Sequence, residues 1–368
     1  MRVPPCTSRR AALAMLVALL ATPRHAEAHA LEPRTPVDWT GAPCMTTIDR
    51  SRSGPIVALE YAIPFEDTAL TENEPLDGRR HQFFALCRDH YFEDVMPAWI
   101  SEADLAVALE LGLGDASLVD LEHDVLDNAA RWQGCATRIT ADDERRPISF
   151  EAAAEPVVWD TSALPAGAWV IEAYTWDPWF SLWTEHPGVF RLVDDPDPAA
   201  NSPAAALTYA EQLVHVDEPA RIGGCVEAMP GSTMSLAWAR GGSGVDPQWH
   251  AFAQDVPVES GGFELDLPGP ASEGGHYLLV ALEVVDPLGR RWTAHGREYI
   301  GVVADPIAGD ESETDTDESE SDETGPPASE ATDAGCGCST NSPPSHGVIG
   351  IAISLLVGRR RRVASAIR

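Results

Sequence analysis

The residues best suited to covalent chemistry are the cysteines, of which the chain has seven. Cys6 falls within a predicted export signal, whereas Cys336 and Cys338 stand together near the C-terminus. An even set remains, which in an exported chain predicts disulfide bonds. These disulfide candidates are Cys44, Cys87, Cys135 and Cys225. The preferred pairing joins Cys87 to Cys135 within one domain, and the alternative is that the four are free buried thiols.

The sequence contains no spacing of nucleophile, base or metal ligands that is typical of an enzyme. His-Glu-x-x-His, Gly-x-Ser-x-Gly and Cys-x-x-Cys are all missing. His81 and His90 flank a predicted strand and His123 lies between two acidic residues, but this is not the spacing of a known metal site. The sequence therefore predicts no catalytic residue, no metal and no cofactor. Every basic residue is an arginine, which excludes a P-loop or Schiff-base lysine.

Aromatic rings crowd one predicted hairpin and are the best candidate for a binding surface. Loops on β-sandwiches often carry binding residues, and planar rings there stack on sugar faces or grip a peptide. The acceptors beside them would be Asp177 and Glu185. The candidate ligand-binding residues are Tyr174, Trp176, Trp179 and Trp183. The alternative is that these rings pack under the loop, against the helical insert or the second domain.

The C-terminal segment pairs a short apolar run, residues 347–358, with four arginines, Arg359 to Arg362. A helix of that length spans about 18 Å, whereas the hydrocarbon core of a bilayer is about 30 Å thick. The arginines favour the cytoplasmic side. The pattern predicts a short transmembrane helix that halts at the membrane and is then processed. The alternative is a marginal tail anchor that stays uncut.

Cys336-Gly337-Cys338, the short apolar run and the arginines together resemble the myxobacterial C-terminal sorting signal, MYXO-CTERM. The resemblance covers about the last thirty residues. It implies that a membrane protease removes the helix and the arginines. It also implies lipid attachment at Cys336, with Cys338 as the neighbouring candidate, and display on the outer surface of the cell. The spacer is longer and more polar than is typical of the family, which leaves the cleavage position open.

Residues 1–30 are predicted to be a signal peptide. Arg9 and Arg10 precede an apolar segment, and an Ala-x-Ala cleavage site follows at residues 26–28 or 28–30. The chain has 58 acidic and 25 basic residues, a formal net charge of −33. Such a surface repels nucleic acid and anionic membranes. Signal and charge together predict an exported protein with no nucleic-acid partner.

Between its two ends the chain is predicted to be mainly β, with two β-sandwich domains. The first, residues 31–193, carries a helical insert with Ser101 as its N-cap and Gly112 at its end. Its expected strands include residues 81–87 and 148–153. Residues 194–204 are a predicted linker, and the second sandwich covers residues 205–304. An acidic disordered stalk, residues 305–335, leads to the sorting signal at residues 336–368.

The two predicted sandwiches share an ending, a glycine-led apolar strand followed by Asp-Pro. The matching segments are residues 167–173 with 177–178, and residues 275–281 with 286–287. This ending resembles the last hairpin of immunoglobulin-like or fibronectin-type sandwiches.

The sequence thus favours an exported, surface-displayed, non-enzymatic binding or structural protein, anchored through its C-terminal signal. Its expected partners are the membrane protease, the lipid anchor and a glycan or protein ligand. The alternative is a secreted hydrolase whose carboxylates or histidines meet only in the fold. A cleft that joins two shielded carboxylates would favour the enzyme, and an exposed aromatic strip would favour binding.

Overall fold

The computed structural model describes residues 34–304, except residues 40, 70–77, 92, 95, 113–114, 177–180, 243–246 and 271–272. All of the described residues belong to one compact unit. The predicted signal peptide, stalk and sorting signal, with Cys336 and Cys338, lie outside the described residues. Within the described part of the chain, each helix is too short or too polar to cross a membrane.

The first sandwich, residues 34–193, is built from short strands whose apolar residues face a common core. Its described strands are β1 (Met45–Asp49), β2 (Ile56–Leu59), β3 (Arg80–Leu86), β4 (Ala136–Arg138), β5 (Arg146–Pro147), β6 (Val157–Asp160), β7 (Gly167–Thr175), β8 (Leu182–Glu185) and β9 (Val189–Val193). One sheet has the order β1-β9-β7-β3-β4, in which β8 also pairs with β7 and β5 with β3, and β2 pairs with β6 in a second sheet.

The helical insert lies between β3 and β4. The helices of the first sandwich are α1 (Arg50–Ser53), α2 (Glu102–Glu110), α3 (Leu121–Asp124) and α4 (Phe150–Ala153). Ser101 caps α2 as predicted, since its side chain accepts a hydrogen bond from the backbone N–H of Asp104. Asp104 and Arg145 then form a buried bidentate ion pair, at 2.8 Å for both contacts, which fastens α2 to the sheet.

The predicted strand at residues 148–153 is wrong. Ser149 accepts a hydrogen bond from the backbone N–H of Ala152, and its extended backbone makes it the N-cap of α4. A serine that bonds its own backbone favours a helix start over a sheet ladder. The other expected strand, residues 81–87, is confirmed as β3, which covers Arg80–Leu86.

The second sandwich, residues 204–304, follows a short 3₁₀ turn at Pro198–Ala200. Its described strands are β10 (Ala204–Leu207), β11 (Gln212–His215), β12 (Ala220–Glu227), β13 (Thr233–Arg240), β14 (His250–Pro257), β15 (Gly261–Leu267), β16 (His276–Val285), β17 (Arg291–His295) and β18 (Ile300–Val303). One sheet has the order β10-β12-β15, and the other β11-β18-β16-β13-β14 with β17 beside β16.

Both sandwiches have one topology, and it is that of immunoglobulin-like domains. In each, an early strand pairs in parallel with the last strand: β1 with β9 and β11 with β18. In each, a strand from the first half of the sandwich pairs antiparallel with a later strand in the other sheet: β2 with β6 and β12 with β15. This separation of the strands between two sheets is the immunoglobulin-like arrangement. The predicted fold class, mainly β with immunoglobulin-like sandwiches, is confirmed.

Strand β7 is buried on both of its faces, and this decides where charged residues meet. Trp169 and Ile171 point into the core of the first sandwich. Val170 and Tyr174, on the opposite face, belong to a second apolar cluster that includes the helical insert and also residues of the second sandwich, such as Leu278. The outer face of the first sandwich's larger sheet is therefore covered rather than left to solvent.

Candidate functional site

The two sandwiches are joined covalently. Cys44, just before β1, forms a disulfide with Cys225 in β12, with the two Cα atoms 6.2 Å apart. Cys87 and Cys135 form the second disulfide, with Cα atoms 4.9 Å apart, within the first sandwich. The predicted even disulfide set is confirmed, as is the preferred Cys87–Cys135 pairing. No sequence argument chose the Cys44–Cys225 bridge in advance.

A group of buried and half-buried charged side chains lies at the junction between the sandwiches, and we call it the junction cluster. Its members come from the segment after β3, from β7 and β8, and from the end of β17 and the turn that follows. They are Asp89, His90, Glu172, Glu185, His295 and Arg297. Because these residues are far apart in sequence, only the fold brings them together.

Two carboxylates of the junction cluster face each other across neighbouring strands. Glu172 in β7 is directly opposite Glu185 in β8. Like charges in this position destabilise a sheet. Glu172 is only 1 % exposed, so water screens little of the repulsion. Such a pair persists only where other groups compensate for it.

His90 and Arg297 supply that compensation from opposite sides of the junction. The Nε2 atom of His90 lies 2.9 Å from the Oε1 atom of Glu172. Arg297, from the second sandwich, forms an ion pair of 2.5 Å with Glu185 and a longer one of 3.8 Å with Asp89. The backbone N–H of His295 donates to Asp89 at 2.9 Å. The junction is thus closed by ionic contacts as well as by the disulfide.

The pKa values in the cluster follow from this crowding. Burial alone would lower the pKa of His90, but its hydrogen bond to Glu172 and the nearby carboxylates raise it to about 10. Burial raises the pKa of Glu185 well above its usual range, although Arg297 opposes that shift. Burial also acts to raise the pKa of Asp89, but Arg297 and His295 outweigh it, so this pKa is lowered. Because these groups influence one another, the protons bound at neutral pH belong to the cluster as a whole rather than to single residues.

A pocket of about 570 Å³ borders the junction cluster on one side. Its lining is largely apolar, with Trp39 and Val37, and Glu185 stands at its wall. Glu185 is the cluster member through which this pocket meets the buried charges. Glu172 does not line this pocket.

The predicted aromatic binding residues are mostly interior. Tyr174 is 0 % and Trp176 2 % exposed. The Tyr174 hydroxyl donates to the carbonyl of Ala98 at 3.1 Å, and the indole of the half-buried Trp183 donates to the carbonyl of Pro97 at 2.9 Å. These rings thus lie beneath the segment leading into the helical insert, the alternative that the sequence left open. Trp179 and the expected acceptor Asp177 lie outside the described residues.

The other expected acceptor, Glu185, belongs to the junction cluster instead of to an aromatic surface. His81, considered as a metal ligand from sequence, is fully buried and its Nε2 atom lies 2.9 Å from the Thr35 carbonyl. His123 pairs with Asp120 on the surface. Of the three histidines considered in sequence, the structure brings only His90 to a group of carboxylates.

The fold and the junction define a tandem pair of immunoglobulin-like sandwiches with a charged, disulfide-linked interface. No protein-family model and no curated protein matches the chain. Among solved structures it is similar to the ICAM-5 D1-D4 ectodomain fragment, at 12 % identity and a TM-score of 0.20, with 76 % of this chain and 53 % of that one covered. The chain thus spans about half of that fragment.

Two further likenesses are of the same kind. Murine CRIg is 11 % identical over 28 % of this chain and 98 % of its own, at a TM-score of 0.20. The N-terminal four immunoglobulin domains of a Dscam1 isoform are 12 % identical over 45 % of this chain and 41 % of their own, at a TM-score of 0.21. These likenesses are too weak to support a function, and the fold assignment rests on the strand pairing itself.

Proposed function

We propose that the chain is an exported, surface-displayed, non-enzymatic protein whose two sandwiches act as one stiff binding or structural arm. The observation that carries this proposal is the Cys44–Cys225 disulfide between the sandwiches. Disulfides persist in oxidising compartments, outside the cytosol. A bridge between domains also restricts their relative motion, which suits an arm that holds a binding surface away from a membrane.

The junction supports the stiffness of that arm with several independent contacts. Arg191 of the first sandwich forms an ion pair of 3.8 Å with Glu227 of the second, and Arg297 of the second donates to the carbonyl of Pro187 in the first at 3.2 Å. Apolar residues of both sandwiches join in one cluster. Interfaces inside a chain allow domain motion unless they are large and apolar, so this shared cluster favours a single rigid unit.

The proposed attachment to the cell comes from the C-terminal signal. A membrane protease would remove residues after the Cys336–Cys338 segment, and a lipid on Cys336 or Cys338 would hold the mature chain at the outer membrane. The acidic stalk would then separate the sandwiches from the surface. The proposed ligand is a glycan or another protein.

Intact cells that produce the protein natively test this proposal. We expect added protease to degrade the sandwiches on intact cells, and mass spectrometry of the purified protein to find no peptide containing Arg359 to Arg362. A Cys336→Ser, Cys338→Ser variant should be released or retained inside. Protection of the sandwiches on intact cells, together with a stoichiometric arginine peptide, would contradict surface display.

A secreted hydrolase is the second candidate, because His90, Glu172 and Glu185 converge beside a pocket. Against it, Glu172 is buried, and one oxygen of each carboxylate is already engaged, that of Glu172 by His90 and that of Glu185 by Arg297. A panel of ester, peptide and glycoside substrates separates the two functions. We expect no turnover by the full chain, and turnover that disappears in Glu185→Gln would establish the enzyme instead.

A further inference from the structure

We propose that His90, Glu172 and Glu185 bind one divalent transition-metal ion, with zinc as the best chemical fit. The His90 ring nitrogen and one oxygen of each carboxylate all lie within 4.8 Å of one another. A tetrahedral zinc ion with ligands at about 2.1 Å holds them about 3.4 Å apart. Small side-chain rotations therefore close the set around an ion, and a water molecule completes the coordination.

The orientation of Glu172 supports a ligand in this position. Its Oε1 atom contacts His90, but its Oε2 atom is buried and has no hydrogen-bond partner. A buried carboxylate oxygen without a partner costs about 1–3 kcal/mol or more. A metal ion between the strands would satisfy this oxygen, which no described protein group does.

The orientation of His90 supports the same site. Its Nδ1 atom lies 3.4 Å from the carbonyl oxygen of Tyr91, while its Nε2 atom faces the carboxylates. In metal sites a ligating histidine donates its second ring N–H to a backbone carbonyl or a carboxylate. His90 thus presents Nε2 as the ligand atom, with the Tyr91 carbonyl fixing the ring.

Formal charge also favours a divalent ion. The cluster holds three carboxylates, those of Asp89, Glu172 and Glu185, against the one permanent cation Arg297. With all three carboxylates ionised and His90 neutral, a divalent ion supplies the two missing positive charges. Ligating imidazole and carboxyl groups must be unprotonated, so binding displaces to solvent the protons that the three ligands carry.

The ligand types select among ions. One imidazole nitrogen and two carboxylates match zinc, which takes three protein ligands and a water. Calcium prefers six to eight oxygens and magnesium a hydrated octahedron, and neither favours the imidazole. We therefore expect zinc, or cobalt in its place, to bind where calcium and magnesium do not.

Metal binding to the purified full chain tests the site. After chelator treatment and dialysis, the wild type should take up one zinc per chain, with proton release into a weak buffer. Glu172→Gln and His90→Gln should bind at least roughly 100-fold more weakly, because each loses a ligand. Matched controls are Glu283→Gln, on the corresponding strand of the second sandwich, and His123→Gln, whose partner is Asp120 on the surface; both should bind as the wild type does.

The result that overturns the site is no stoichiometric zinc in the wild type, or unchanged uptake in Glu172→Gln. If the two ligand variants fail to fold by circular dichroism, the wild type alone decides. One equivalent of zinc should raise its Tm while calcium should not, and cobalt should give the strong visible absorption of a tetrahedral site. Absence of both signals would overturn the site, whereas surface display on cells is unaffected by either outcome.

Discussion

The two sandwiches share a strand topology but have different residues at one pair of equivalent positions that lies in the junction. Glu172 lies opposite Glu185 in the first, and Ala281 lies opposite His295 in the second. These positions are matched through an equivalent backbone hydrogen bond one residue away. The N–H of His186 donates to the carbonyl of Ile171 at 2.8 Å, and the N–H of Gly296 donates to the carbonyl of Val280 at 2.8 Å. The second sandwich thus has an alanine at this position, so the shared strand topology does not by itself require a carboxylate there.

The difference extends to what covers each sheet. The first sandwich has an insert between β3 and β4, held by the Asp104–Arg145 pair, whereas the second passes from β13 directly to the edge strand β14. The insert and the second sandwich together bury the outer face of β7. The charged residues of the junction cluster therefore lie where two covered faces meet. Charged side chains in such a position form a binding site or hold the two sandwiches together, unlike charges on an ordinary solvated surface.

The largest expected effect concerns the Cys44–Cys225 disulfide, which joins the two sandwiches at the junction. The Cys44→Ser, Cys225→Ser variant opens a loop of 181 residues, and chain entropy predicts a loss of about 5 kcal/mol in the free energy of unfolding. Cys87→Ser, Cys135→Ser opens 48 residues and should lose about 4 kcal/mol by the same relation. Urea unfolding of both variants measures the two losses, and a larger loss for the second would show that the junction bridge stabilises the chain less than the Cys87–Cys135 bridge does.

The next effect concerns the insert that the second sandwich lacks. Arg145→Met leaves Asp104 as a buried unpaired charge and should cost about 3–5 kcal/mol. The control is Arg138→Met, whose partners Asp127 and Asp142 are 41 % and 51 % exposed and which should cost about 1 kcal/mol or less. Equal losses in urea unfolding would mean that the Asp104–Arg145 pair does not fasten the insert.

A smaller effect concerns acid stability of the first sandwich. Burial lowers the pKa of His81 to about 4, with its hydrogen bond to Thr35 opposing that shift. The unfolded chain takes up this proton near pH 6.5, so stability is lost as pH falls from about 6.5 towards 4. The contribution is on the order of 3 kcal/mol.

His81→Gln removes that proton uptake and keeps a donor for the Thr35 carbonyl. Its stability should therefore decline less steeply than that of the wild type between pH 6.5 and pH 4. Thermal unfolding at several pH values measures the two slopes, with His250→Gln, an exposed histidine of the second sandwich, as the control. Parallel curves for wild type and His81→Gln would contradict a buried neutral His81.

The smallest effect concerns the exposed ion pair of the second sandwich. Glu283 pairs with Arg291 at 3.0 Å across neighbouring strands, and the two side chains are 39 % and 63 % exposed. Glu283→Gln should change the free energy of unfolding by less than about 1 kcal/mol, and the change should vanish in high salt. A larger, salt-independent loss in urea unfolding would mean that this surface resembles the junction more than its exposure indicates.

Local patterns predicted much of the fold. Ser101 and the apolar positions after it identified the insert helix, because cap chemistry is local. Residues 81–87 were recognisable as a strand from their apolar run. Residues 148–153 were mistaken for a strand, since apolar residues over so short a stretch do not reveal a serine cap. The shared ending of the two sandwiches was visible in sequence, but strand pairing matches Ile171 to Val280, one residue away from the sequence match.

The junction cluster could not be predicted in the same way. Asp89 and Arg297 are separated by most of the chain, and no ligand spacing links His90 to Glu172 or Glu185. The one local signal was Glu172 itself, a charged residue inside the otherwise apolar run of β7. Tyr174 is buried because the insert crosses the outer face of β7. The sequence of the hairpin that contains Tyr174 does not show that the insert lies there.

The most direct test of a single two-sandwich arm is peptide mapping of the native protein without reduction. Cleavage after arginine should yield the peptide that contains Cys44 linked by a disulfide to the peptide that contains Cys225, with Cys87 linked to Cys135. A free Cys44, or Cys44 linked to Cys87 or Cys135, would contradict the covalent junction on which the proposed arm depends.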